Sequence, residues 1–315
     1  MFSVSKTIVK RQMYRRCLKR NNITTWAACT ESAPASPFNG GRFDYYIICC
    51  SGIDSPFWRS ILKTVCVIPA RYASVRLPGK PLIDICGRPL IQRVYEKAAR
   101  AQRLDRVIVA TDDERIKQAV ESFGGEAVMS PPSLPTGSDR VARVLEDLNL
   151  DHDVIMNLQG DEPLIDPTDL DRLVECLEEA PGVQMASLMA PLHERADVED
   201  VNQVKVVIDH EDFALYFSRA PIPFWRRKED IEWAQRPANY WLHLGVYAFS
   251  RPTLQRYACW PRSMLEKSES LEQLRAIEYG VRIKMISTSH PWPGVNTPED
   301  VERVRNAYKL QENPE

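Results

Sequence analysis

From Lys63 onward, short apolar runs alternate with stretches of helical period, and that alternation restricts the chain to βαβ units around a mostly parallel sheet. Residues 64–69, 106–110, 127–129 and 153–158 read as strands. Between and after them, residues 89–100, 113–123, 139–148 and 167–179 read as helices; the first places Ile91, Val94, Tyr95 and Ala98 on one face, and Gly124 and Gly125 end the second. The second half breaks this rhythm. Residues 203–208 and 213–217 flank the turn Asp209-His210-Glu211-Asp212 as a hairpin, followed by a strand at 243–249, a helix at 271–279, a strand at 281–286 and a closing helix at 298–308. The expectation is one doubly wound α/β domain over residues 63–310 with an inserted antiparallel β subregion.

Residues 1–62 do not belong to that pattern. They carry nine Lys/Arg against three acids, net +6, so the rest of the chain holds −8 of the total −2. They are Ser/Pro/Gly-rich around 32–41 and show no sustained period, which reads as a tail, an organellar targeting segment or a mis-called start. An acidic body argues against nucleic acid as partner, because polyanion binding needs a contiguous basic face. No run approaches the roughly 18 apolar residues of a membrane span. The eight cysteines lack CxxC spacing, so no zinc knuckle is expected, and the four beyond residue 62 read as apolar fillers of a reduced, cytoplasmic protein.

Chemistry concentrates in two segments at strand ends. Arg71-Tyr-Ala-Ser-Val-Arg-Leu-Pro-Gly-Lys80 follows the first strand and supplies Arg71, Arg76 and Lys80 with Ser74 in a tight loop. Cations and loop N–H groups at the carboxyl end of a strand suit a triphosphate, whose charge must be neutralised and whose pyrophosphate must leave. The bland alternative is a solvated basic loop. Gln159-Gly160-Asp161-Glu162-Pro163 follows the fourth strand; Asp161 can reach the same crevice and hold Mg²⁺, while Glu162 reads as a turn-ordering residue.

These segments occur in order with Ala110-Thr-Asp112, Thr136-Gly-Ser-Asp-Arg140, Ala214-Leu-Tyr-Phe-Ser-Arg219, His243-Leu-Gly245, Leu271-Glu-Gln-Leu-Arg275 and Thr297-Pro-Glu-Asp300. Over residues 64–308 the chain resembles the 3-deoxy-manno-octulosonate (Kdo) cytidylyltransferases, also called CMP-Kdo synthetases. The resemblance implies a Rossmann-like, GT-A-like nucleotidyltransferase fold and transfer of CMP from CTP to Kdo with Mg²⁺, feeding lipopolysaccharide or another Kdo-containing polysaccharide. It implies that Arg71, Ser74, Arg76, Lys80, Arg140 and Gln159 bind CTP and that Asp161 carries the metal, with Lys80, Arg76 and Asp161 as catalytic groups. Arg219, His243, Tyr247, Glu272 and Gln273 would surround the sugar acid, and a homodimer is implied.

Read by themselves, these residues speak with different strengths. Arg219 suits capture of a sugar carboxylate, against the alternative of a surface ion pair. His243, between Leu242 and Leu244, reads first as a hydrogen-bonded core histidine. Glu272 and Gln273 draw no attention outside the resemblance. One position departs from the family: Gly294-Val-Asn296-Thr-Pro-Glu-Asp300 has an amide where the family has a metal-binding aspartate, so Asn296 is expected to hold Mg²⁺ weakly or to be rescued by Glu299 or Asp300. The rival readings are a CMP-sialic acid synthetase and a sugar-nucleotide-binding protein weakened at Asn296.

Overall fold

The computed structural model describes residues 62–73, 77–180, 182–226, 240–289 and 294–312. The chain divides into Met1–Ser60 and Ile61–Glu315; the basic extension, and with it Cys49 and Cys50, lies outside the described residues. In the second unit the parallel strands are β1 (Thr64–Ala70), β4 (Arg106–Thr111), β5 (Ala127–Met129) and β6 (Val154–Leu158). They alternate with the helices α1 (Leu90–Ala98), α2 (Glu114–Ser122), α3 (Gly137–Asp147) and α4 (Pro167–Glu179). A small antiparallel pair, β2 (Asp84–Ile85) and β3 (Arg88–Pro89), precedes α1.

Beyond α4 come β7 (Met185–Pro191), α5 (Arg195–Glu199), β8 (Lys205–Ile208), β9 (Ala214–Ser218) and β10 (Trp241–Ser250). The chain then runs through α6 (Arg251–Cys259), α7 (Met264–Glu269), α8 (Gln273–Glu278), β11 (Ile283–Ser287) and α9 (Pro298–Glu312). The main sheet has the order β11-β7-β10-β6-β1-β4-β5, with β8 pairing to β10 and β9 to β8. β7 and β11 are parallel, whereas β10 runs antiparallel to both β6 and β7. The antiparallel subregion is therefore woven into the sheet.

Strand alternation explains the layers. Cys66 and Ile68 of β1 face a core shared with Ile91 and Val94 of α1 and Leu170 and Leu173 of α4. Val65 and Val67 face the other core, with Val141 and Val144 of α3 and Leu254 of α6. All of these aliphatic side chains are fully buried, each contributing roughly 1.5–3 kcal/mol. The helices start as their sequences dictate: Asp113 accepts from Arg115 N at the head of α2, Thr136 from Asp139 N at α3, and Asp166 from Thr168 N at α4, where Pro167 occupies the first turn.

β7 carries no expectation from sequence, because Met-Ala-Ser-Leu-Met-Ala has neither β-branched residues nor alternation. It is buried on both faces between β11 and β10, where continuous apolarity replaces alternation. Of the four cysteines expected as fillers, Cys66 is buried, Cys86 and Cys176 are half-buried, and Cys259 is exposed, so the expectation fails for Cys259. Among the described residues no helix is long and apolar enough to cross a membrane.

Candidate active site

Parallel pairing of β1 with β6, in the register Thr64 to Val154 and Val67 to Asn157, sends both following loops out of the same sheet edge. Two glycines at this edge make close approaches. A Cβ on Gly160 would sit 3.0 Å from the Pro69 carbonyl, and one on Gly294 would sit 2.9 Å from Glu162 Oε1. Across that edge Lys80 Nζ donates to Asp161 Oδ2 at 2.6 Å and to the Val295 carbonyl at 2.7 Å. Val295 N donates in turn to the Asp161 carbonyl at 2.8 Å, binding the Gly294–Asn296 segment to the β6 loop. The first-strand cation and the fourth-strand acid meet, as their positions after parallel strands require.

Beside this pair opens a cavity of about 1010 Å³ lined by Gln159, Arg219, His243, Tyr247, Glu272, Gln273 and Asn296, along with Thr136, Gly137 and Glu162. Lys80 and Asp161 do not line the cavity itself; they reach it through the Val295 carbonyl, whose neighbours Gly294 and Asn296 do. Arg71 donates to the Leu134 carbonyl next to the lining residue Pro135. Arg140 is placed differently from a ligand-contacting residue. Its guanidinium is fully buried, donating to Asp112 at 3.1 Å and to Ser130 Oγ, so it stands behind the nucleotide loop. Burial depresses its basicity, with Asp112 opposing and Arg71 reinforcing the effect. Ser74 and Arg76 lie outside the described residues.

The expected sugar-acid residues are held by β10, α8 and the end of β9. Arg219 Nε donates to the Glu269 carbonyl at 2.9 Å and Nη1 to the Val201 carbonyl at 3.0 Å, fixing the guanidinium at the wall. Tyr247 donates to Gln273 Oε1 at 3.0 Å. Glu272 Oε2 accepts from Ser138 N at 2.9 Å, while Asn157 and Gln159 approach its other oxygen at 3.4 and 3.5 Å. Burial pushes the Glu272 carboxyl above the ordinary range, and the Ser138 N–H opposes that shift.

His243 unites both readings of it, since it is buried yet lines the cavity. Nε2 lies 3.0 Å from Ser187 Oγ and Nδ1 3.4 Å from Gln273 Nε2. Burial pushes the imidazole from 6.5 down to about 3, so it stays neutral at working pH. The unfolded chain takes up this proton below about pH 6.5 and the folded chain only near 3, so acidification destabilises the fold across that window. Between pH 7 and 5 the parent should lose about 2 kcal/mol more unfolding free energy than His243→Gln, measured by urea titration. Equal losses would show an imidazole that protonates inside the fold.

Sequence reasoning missed Ser187, because β7 itself was not legible, and it missed Glu162 as a cavity group. The signal for Glu162 was Gly294, whose missing side chain makes room for that carboxylate.

A protein-family model described as Cytidylyltransferase matches residues 65–283. The chain belongs to the cytidylyltransferase family. It is 47% identical over 251 residues to an 8-amino-3,8-dideoxy-manno-octulosonate cytidylyltransferase of Shewanella amazonensis, covering 79% of this chain and 100% of that one. It is 44% identical over 252 residues to a 3-deoxy-manno-octulosonate cytidylyltransferase of Geobacter sulfurreducens, with the same coverage. The solved structure of CMP:2-keto-3-deoxy-manno-octonic acid synthetase complexed with CTP aligns with TM-score 0.72 and 43% identity, covering 80% of this chain and all of that one. A 4-diphosphocytidyl-2C-methyl-D-erythritol synthase from Anaerococcus prevotii shares the fold at TM-score 0.54 and 14% identity, covering 79% of this chain and 97% of that one. The expected Rossmann-like nucleotidyltransferase fold is thereby met.

Within this cytidylyltransferase the donor set suits Mg²⁺ completed by substrate. Among the described residues no three His, Cys, Asp or Glu side chains cluster as ligands. Mg²⁺ needs only one or two carboxylates beside phosphate oxygens. Asp161 and Asn296 lie on segments joined by the Val295 N to Asp161 O bond, which fits such a site. Asp300 is otherwise committed, accepting Asn296 N at 2.9 Å and Thr297 N at 2.8 Å at the head of α9. Glu299 likewise serves its own helix start, where its backbone N–H and Thr297 hold the carboxyl below the ordinary range.

Proposed function

We propose that this chain transfers CMP from CTP to the anomeric hydroxyl of 3-deoxy-manno-octulosonate, releasing pyrophosphate. The observation that carries the reading is the Lys80–Asp161 pair at 2.6 Å, set beside a cavity whose wall holds Arg219. The anomeric oxygen forms a bond to the α-phosphorus, the bond from that phosphorus to the β-bridging oxygen breaks, and pyrophosphate leaves with the electron pair. The hydroxyl proton passes to solvent. Arg71, Arg76 and Lys80 offset the charge on the β and γ phosphates, stabilising the departing oxygen. Arg219 holds the sugar carboxylate, and Glu272 with Gln273 orients the sugar hydroxyls. Asp161 and Asn296 would hold Mg²⁺, which would supply charge neutralisation at the triphosphate and ease deprotonation of the hydroxyl.

The amide at 296 weakens that site, so Asn296→Asp should lower the half-saturating Mg²⁺ concentration about tenfold. Superimposable Mg²⁺ titrations of parent and variant would remove residue 296 from the metal site.

A second acceptor, the 8-amino-3,8-dideoxy sugar acid, is favoured by Asp197, Asp200 and Glu194. They line the same cavity as Arg219, and Val201, which binds Arg219, follows Asp200. A terminal ammonium would pair with these carboxylates. Pyrophosphate release with CTP, Mg²⁺ and each acceptor in turn tests both readings. Release with Kdo supports the first, a higher kcat/KM with the amino sugar selects the second, and release only with sialic acid overturns both. We propose further that the enzyme works as a homodimer in the cytoplasm, supplying an activated sugar to lipopolysaccharide or a related polysaccharide.

A further inference from the structure

Two sequence motifs, Thr136–Arg140 and Leu271–Arg275, meet around one guanidinium that the reaction does not touch, Arg275 reaching Asp139 across 136 residues. Arg275 is 1% exposed and forks onto two carboxylates. Nε and Nη2 donate to Glu266 at 2.9 Å each, and Nη1 and Nη2 donate to Asp139 at 2.8 and 3.1 Å. Its Cζ lies 4.3 Å from the Tyr257 ring centroid, and Tyr257 donates to the Glu272 carbonyl at 3.1 Å. Asp139 also accepts from Thr136 Oγ1 at 2.7 Å, in the first turn of α3. Thr136 and Gly137 line the cavity, as do Glu272 and Gln273, three and two residues before Arg275.

We propose that Arg275 is the positioning residue that holds the nucleotide wall of the cavity in register with the sugar wall. The guanidinium fork fixes α8 against the start of α3, while Ser138 N fixes the Glu272 carboxylate at 2.9 Å. Replacing the whole cluster by apolar groups would cost little stability, but removing the guanidinium alone leaves buried Glu266 and Asp139 without their partner, so a lowered midpoint is expected in Arg275→Met and does not by itself decide the role. The geometry of the cluster is specific, because a planar fork satisfies two carboxylates in one orientation and an ammonium does not. In-line attack requires the sugar hydroxyl within about 3–3.5 Å of the α-phosphorus, and an error of about 1 Å costs on the order of 10²-fold.

This inference rests on the CTP and sugar-acid reading, which pyrophosphate release by the parent checks separately. The experiment uses full-length parent, Arg275→Lys and Arg275→Met, with calorimetric CTP stoichiometry, thermal midpoint, kcat and both KM values. The expected result is a kcat per CTP-binding site about 30-fold lower in the Lys variant and about 100-fold lower in the Met variant, with each KM within about threefold. A merely structural role would lower the midpoint and the stoichiometry while leaving kcat per site intact. Should the Met variant fail to fold, the Lys variant alone carries the test. Kcat per binding site within twofold of the parent, or a raised KM at unchanged kcat, would overturn the proposal. If the parent releases no pyrophosphate, the same proteins are read by CTP affinity with and without Kdo: a coupling present in the parent and lost in Arg275→Lys supports the brace, and any other pattern sinks it.

Discussion

Lys80→Met is expected to lower pyrophosphate release about 10³-fold at saturating CTP and Kdo while leaving the fold intact. The ammonium faces Asp161 Oδ2 at 2.6 Å and the Val295 carbonyl at 2.7 Å, so it sits against the acid proposed to hold the metal and beside the proposed triphosphate site. Removing a preorganised donor to a developing charge costs roughly 3–4 kcal/mol in the transition state, and Lys80 is also the fixed counter-charge of Asp161. The fold tolerates the change because the Asp161 side chain remains 23% exposed, so water can solvate the carboxylate once its partner is gone. Lys80→Arg should not rescue, since a planar guanidinium is too wide for a gap of these two distances. Steady-state turnover with a thermal midpoint for each variant checks this, and turnover within tenfold of the parent would detach Lys80 from the chemistry.

Arg219→Met is expected to act on the other substrate, raising the KM for Kdo about 10²- to 10³-fold with the CTP dissociation constant unchanged. The guanidinium is held by two backbone carbonyls, of Glu269 and Val201, neither of which cancels its charge. The Glu269 carboxylate accepts from the Arg219 backbone N–H at 3.0 Å and not from the guanidinium, so in the proposed complex the guanidinium can pair with the sugar carboxylate, and truncating one partner of such a pair costs roughly 2–5 kcal/mol. Kinetics with varied Kdo, paired with calorimetric CTP binding, separates this outcome from general damage. A parallel loss of CTP affinity would mean that Arg219 holds β9 and α7 in place and does not hold the sugar acid.

The two variants probe halves of the site that were legible to different degrees. The phosphate half was written locally, as three cations in a ten-residue loop after an apolar strand and a Gly-Asp after another. Parallel strands must deliver such loops to one edge, so their meeting followed from the period of the sequence. Arg140 shows where that reasoning stops. The resemblance implies Arg140 as a CTP ligand, and the packed α3 turns its guanidinium inward onto Asp112, which no local pattern shows.

The sugar half was not legible without the resemblance. His243, Glu272 and Gln273 occupy unremarkable sequence positions, and their significance comes from β10 running antiparallel between β6 and β7. That insertion puts Tyr247 beside Asn157, and it carries His243 up to Ser187 of a strand whose composition resembles a helix.

By itself, then, the order of residues determined the α/β class, the two strand-end loops that meet at one sheet edge, and the family, because hydrophobic period and short cationic loops are local properties. Tertiary structure alone decided which polar groups face the cavity and which stand behind it, and how Arg275 reaches Asp139, 136 residues away in the chain. The physical reason is that burial and ion pairing depend on neighbours distant in the chain, and no local pattern encodes their distances.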